Sequence, residues 1–129
     1  MLKGYIMISM IVRTWNKFWR GHNLSVAIAA YKRIKDPNNW TKNAFYRDEN
    51  DEPTSLQNAK KFCILGSYKC SSATEEILFV LDAFERYSKK KGLKYSWLMH
   101  FNDAPETTHE DVIDFMKYAI EYCGGKVDE

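Results

Sequence analysis

The chain has 129 residues, 45% hydrophobic and 28% charged, which fits one globular domain with its own core and excludes disordered, collagenous and multidomain organisations. Its net charge of +2 averages two unlike parts: residues 1–35 carry seven bases and no acid, residues 36–129 carry 12 bases and 17 acids. A nucleic acid, if bound, would meet the N-terminal side, because from Asp103 onward eight acids face only Lys117 and Lys126.

Tyr5, Ile8, Val12, Trp15 and Trp19 recur at helical spacing, with Ser9, Arg13, Asn16 and Arg20 on another face. Residues 1–22 are therefore expected to form a basic amphipathic helix that Gly21 ends. The apolar run 5–12 is too short to span a bilayer and lacks a cleavage pattern. Asn23 reads as the N-cap of a second helix with Leu24, Ile28, Tyr31 and Ile34 on its inner stripe, stopping at Asp36-Pro37-Asn38-Asn39. From Trp40 to Leu56 the helical period disappears, and Ala44-Phe45-Tyr46-Arg47 before an acidic turn reads as a short hairpin or irregular insertion near residues 40–56. A helix resumes at Leu56 or Asn58 and runs to Lys69, with Gly66 inside it marking a close approach of another backbone.

Ser72-Ala73-Thr74-Glu75 is a capping box opening a helix through Ile77, Leu78, Leu81, Phe84 and Tyr87 to Lys89-Lys90-Lys91 and the stop Gly92. Leu93 to Phe101 fits either a short strand or a short buried helix. Thr108 to Asp111 caps a last helix carrying Val112, Phe115, Met116, Ala119, Ile120 and Cys123. The sum is a mainly α, single compact domain of four to five helices: an N-terminal helix 1–22, a helical domain 23–125 and a tail 126–129.

Three segments in order carry a resemblance. They are Trp40-Thr41-Lys42-Asn43-Ala44-Phe45-Tyr46-Arg47-Asp48, Cys63-Ile64-Leu65-Gly66-Ser67, and Phe101-Asn102-Asp103-Ala104-Pro105-Glu106-Thr107-Thr108. Over residues 24–123 the chain resembles an uncharacterised family, a domain of unknown function in small bacterial and phage proteins, with a Trp-Asn-Asp-Ala-Pro-x-Arg-Thr-like motif. Asn43, Phe101 and Thr107 stand where that pattern has Gly, Trp and Arg, so an anion site lined by that arginine would lack it. The resemblance implies a mostly helical domain of phage or mobile-element type and supplies no activity.

Two sets of candidate residues follow. Cys63, with His100 and Asn102 or Asp103, has the residue types of a thiol nucleophile, a base and an orienting group, against the plainer reading of a buried cysteine. Asn102-Asp103 also suits a local turn ahead of a helix, and Arg47 and Asp48 suit either a ligand clamp or pairing across a hairpin. Should Arg47, Asp48, Cys63, Asn102 and Asp103 converge, they define a ligand pocket. The second set is Arg13, Trp15, Lys17, Phe18, Trp19 and Arg20, suited to docking a partner, self-association, a lipid interface or nucleic acid, or to packing on the chain's own core.

No metal set is expected, because His100, Asp103, His109 and Asp111 lack zinc-like spacing, and no cofactor, because no Walker or Rossmann glycine pattern is present. Three cysteines without C-x-x-C spacing suit a reducing compartment, the cytoplasm, or the host's if phage-encoded. The leading expectation is a small non-enzymatic accessory protein that binds another protein. Its alternatives are a small-ligand-binding or thiol-dependent enzyme around Cys63 and Asn102-Asp103, and nucleic-acid or membrane-surface binding through the N-terminal helix.

Overall fold

The computed structural model describes Met10, residues 20–70 and residues 74–127. Among these lie five α-helices, α1 (Arg20–Ile34), α2 (Ile64–Lys69), α3 (Thr74–Lys91), α4 (Leu98–Asp103) and α5 (His109–Tyr122), with strands β1 (Tyr46–Arg47) and β2 (Lys61–Phe62) between α1 and α2. The architecture is mainly α, a single domain around one core, as the periodicity predicts.

Helix α1 buries Val26, Ala27, Ala30, Tyr31 and Ile34, a stripe at helical spacing that packs against α2 and α5. It runs unbroken through Gly21 and Asn23, correcting the expected stop and N-cap there, and the division drawn at residues 22 and 23 falls inside it. A helical glycine costs only about 1 kcal/mol relative to alanine. That loss is small beside what the buried stripe stabilises. The helix ends before Asp36-Pro37, where proline disfavours helical backbone in the residue ahead of it and the Asp36 carboxylate accepts the Asn38 amide at 2.9 Å.

The hairpin is larger than expected. β1 and β2 are antiparallel with Tyr46 opposite Phe62 and Arg47 opposite Lys61, so Lys61-Phe62 is strand, not the helix expected from Leu56 or Asn58. The Cys63 amide donates to the Phe45 carbonyl at 3.1 Å. The Tyr46 and Phe62 rings meet edge-on at 6.0 Å. These cross-strand contacts outweigh the modest helix propensity of the segment. Helix α2 starts only at Ile64, with Cys63 as its N-cap.

Helix α3 turns Ile77, Phe79, Val80, Ala83, Phe84 and Tyr87 inward, while Leu78, expected on that stripe, is 47% exposed. The capping serine Ser72 lies outside the described residues. Gly92, at φ 67, ends α3 in the left-handed region open to glycine. The ambiguous segment resolves as irregular chain followed by the short helix α4. Phe84 of α3 lies 5.2 Å from Phe101 of α4 and 5.4 Å from Phe115 of α5, an aromatic centre that ties the three helices together. Thr108 caps α5 by the expected reciprocal box with Asp111, at 2.9 and 3.2 Å.

Candidate functional site

Three segments far apart in the sequence meet at Asn102. Helix α4 turns Leu98 and Phe101 into the core, which carries the adjacent Asn102 to full burial beneath the start of α2 and the chain leaving Trp40. Its Oδ1 accepts the Trp40 indole N–H at 2.9 Å and the Ile64 backbone N–H at 3.0 Å. Its Nδ2 donates to the Thr41 carbonyl at 3.1 Å and to Asp103 Oδ1 at 2.9 Å. Both donors and both acceptor positions of the amide are thereby used. The Ile64 N–H is one of the amides that a helix start leaves without an internal partner, and Asn102 satisfies it from 38 residues away.

The neighbours lock the same junction. Asp103 Oδ1 also accepts the Asn43 N–H at 2.8 Å, beside a left-handed backbone at Asn43 with φ 65. Lys42 Nζ donates to the Ala104 carbonyl at 2.5 Å and lies over the Trp40 ring at 5.4 Å. Trp40 also meets His109, 5.9 Å between centroids, whose Nε2 bonds the Ile34 carbonyl at the end of α1 at 2.7 Å.

Arg47 spends its guanidinium within the hairpin: Nε on Thr41 Oγ1 at 2.9 Å, Nη2 on the Lys42 carbonyl at 3.1 Å, and Nη1 on the Asp51 carbonyl at 3.0 Å. Asp48 faces its own turn, accepting the Asn50 and Glu52 amides at 2.8 and 3.1 Å. Cys63 is fully buried, and its Sγ accepts the Gly66 N–H at 3.2 Å. Burial pushes the thiol up to about 11, with the Asp103 charge reinforcing it against the Gly66 amide. At neutral pH it is a thiol, while the nucleophile of cysteine chemistry is the thiolate.

Of the five pocket candidates, then, the fold brings Cys63, Asn102 and Asp103 together. Arg47 reaches the junction through Thr41 and Lys42, and Asp48 does not. His100 is exposed on α4. Among the described residues no group of three or more His, Cys, Asp or Glu side chains gathers as a metal site. In the partner-docking set, Arg20 opens α1, and Arg13, Trp15, Lys17, Phe18 and Trp19 lie outside the described residues. The local turn expected of Asn102-Asp103 is corrected. Their side chains reach Trp40, Thr41, Asn43 and Ile64 instead, because α4 aims them across the core boundary. Trp40, Thr41 and Lys42 had no chemical signal of their own beyond Trp40 opening the first segment.

Outside the junction, Phe45 is 41% exposed, Leu56 44% and Trp97 44%. Lys69, at the end of α2, sets its ammonium 4.8 Å from the Phe45 ring centroid.

These features define a small mainly α domain in which a buried asparagine joins a hairpin to two short helices. The chain belongs to a family of unknown function, DUF6197, whose model matches residues 24–122 and so takes in all three segments of the junction. No curated protein and no solved structure matches the chain. No helix among the described residues is long and apolar enough to cross a membrane.

Proposed function

We propose that this chain is a non-enzymatic accessory protein that acts by binding another protein. The observation that carries this reading is the split between a polar junction whose groups satisfy one another and large apolar side chains left in solvent at Phe45, Leu56 and Trp97. A substrate would find the Asn102 amide fully engaged and the Cys63 thiol buried and protonated. A partner protein needs only a surface, and a hairpin already held rigid loses little conformational entropy on docking. The resemblance of the three segments supports a phage or mobile-element setting. Three cysteines without C-x-x-C spacing support a reducing compartment, the host cytoplasm.

The test is a tagged full-length chain in lysate of the native host, nuclease-treated or not, beside a variant with Phe45, Leu56 and Trp97 all replaced by Glu. The expected result is one stoichiometric protein that survives nuclease and is lost from the variant. Recovery of nothing, or only of species that nuclease releases, overturns the reading.

A further inference from the structure

We propose that the corner between β1 and the end of α2 anchors a carboxylate-bearing apolar segment of the partner, with Phe45 receiving the apolar side chain and Lys69 and Arg33 the carboxylate. This rests on the reading that the chain binds a protein.

Phe45 is a large side chain in solvent on a backbone that cannot move aside. Its carbonyl accepts the Cys63 N–H at 3.1 Å and lies so close to Gly66 that a Cβ there would collide with it. Its ring is 6.2 Å from Tyr46, which packs edge-on against Phe62. An aromatic fixed in this way makes a binding anchor with little ordering left to do.

Among the described residues no acid answers the charge beside it. Among the described residues neither Lys69 nor Arg33 takes part in an ion pair, whereas Lys61, Arg86, Lys89, Lys91 and Lys94 all do. Lys69 rests on the Phe45 ring, and Arg33 uses only Nη1, on the Ser67 carbonyl at 2.9 Å, leaving the rest of its fork. Both cations lie at the end of α2: Lys69 is its last residue, and Arg33 bonds the Ser67 carbonyl two residues before it. A carboxylate arriving next to an apolar side chain would gain charge-assisted bonds from both cations while its neighbour covers Phe45.

A phosphate backbone fits less well. The same hairpin carries Asp48, Glu49, Asp51 and Glu52 in its turn, and Lys61 is already paired with Asp51 at 3.0 Å. A polyanion needs a track of cations, and a single carboxylate needs one or two.

The experiment pans a random-peptide phage-display library on the full-length chain and measures the best synthetic peptide against Phe45→Ala, Lys69→Glu and Lys69→Arg. Thermal melts first show that each variant keeps the wild-type fold, and amide NMR of the wild type maps the peptide independently of any variant. The selected peptides should carry Asp or Glu next to Leu, Ile, Met or Phe. Affinity should fall at least about tenfold for Phe45→Ala and Lys69→Glu and stay within about twofold for Lys69→Arg. NMR shifts should centre on Phe45 and Lys69. No selected peptide, peptides without acids, shifts elsewhere, or indifference to both variants overturns the anchor, as does a labelled oligothymidine bound there in a Lys69-dependent manner. A native partner still captured by Phe45→Ala and Lys69→Glu likewise sinks the anchor while leaving the protein-binding reading intact.

Discussion

A single carboxamide organises more of this molecule than any other side chain. Truncating Asn102 leaves the Trp40 indole N–H, the Ile64 N–H and the Thr41 carbonyl unpaired in a buried setting. Asn102→Ala should cost roughly 3 kcal/mol or more, read from urea melts. Asn102→Asp keeps the acceptor but loses the donation to Thr41 and sets a second carboxylate against Asp103. It should destabilise at neutral pH and recover partly as pH falls towards about 4, because burial and the neighbouring carboxylate hold the new carboxyl above the ordinary carboxylate range. Cys63 predicts a different pH dependence. Its thiol is pushed from 9.0 to about 11 by burial, so the stability held in the neutral form is complete below about pH 9 and is lost as pH rises towards 11. Melts at pH 8 and about pH 11, each referenced to Cys63→Ala, should differ by roughly 2 kcal/mol. At neutral pH a thiol reagent should leave Cys63 untouched until the chain unfolds.

Among the elements, the helices α1, α3 and α5 were legible because each repeats apolar residues at helical spacing over several turns, and α5 adds a cap visible in four residues. The elements between residues 40 and 69 were legible only in outline. Two-residue strands carry no periodic signal. Helix α2 takes its first amide's partner from α4, which no local window contains. Gly66 was readable as a close approach, and the approaching group is the Phe45 carbonyl. Gly66→Ala should therefore destabilise by about 1–3 kcal/mol, the cost of overpacking, and should disturb the amide resonances of Phe45 and Tyr46 before those of α5. Thr108→Ala removes one half of the α5 cap and should cost about 1 kcal/mol in the same melts.

For the whole molecule, one core joins the five helices, and Asn102 fastens the hairpin to it. Wild-type unfolding followed by far-UV circular dichroism and by tryptophan fluorescence should give coincident transitions. In Asn102→Ala the fluorescence transition, sensitive to Trp40, should precede the loss of helix. Coincident transitions in both proteins would show that the hairpin is held by its other contacts. The charge asymmetry belongs to this scale too. Lys69 at the Phe45 ring ends α2, Arg33 reaches the same helix from α1, and the turn acids of the hairpin lie beyond its strands. A surface of mixed sign favours a short acidic segment over a long polyanion.

Amphipathic periodicity and caps are local properties, so composition, helix content, the Gly92 stop of α3, the cap of α5 and membership in an uncharacterised family could all be read along the chain. The separation of Trp40, Ile64 and Asn102 by tens of residues put their meeting beyond any such reading. Hydrogen bonds across that distance form only when the core has set the direction of α4, which turned a suspected local turn into the junction of the domain. The same packing decided that Cys63 is buried and protonated, that Leu78 faces solvent, and that Phe45 stands exposed beside Lys69.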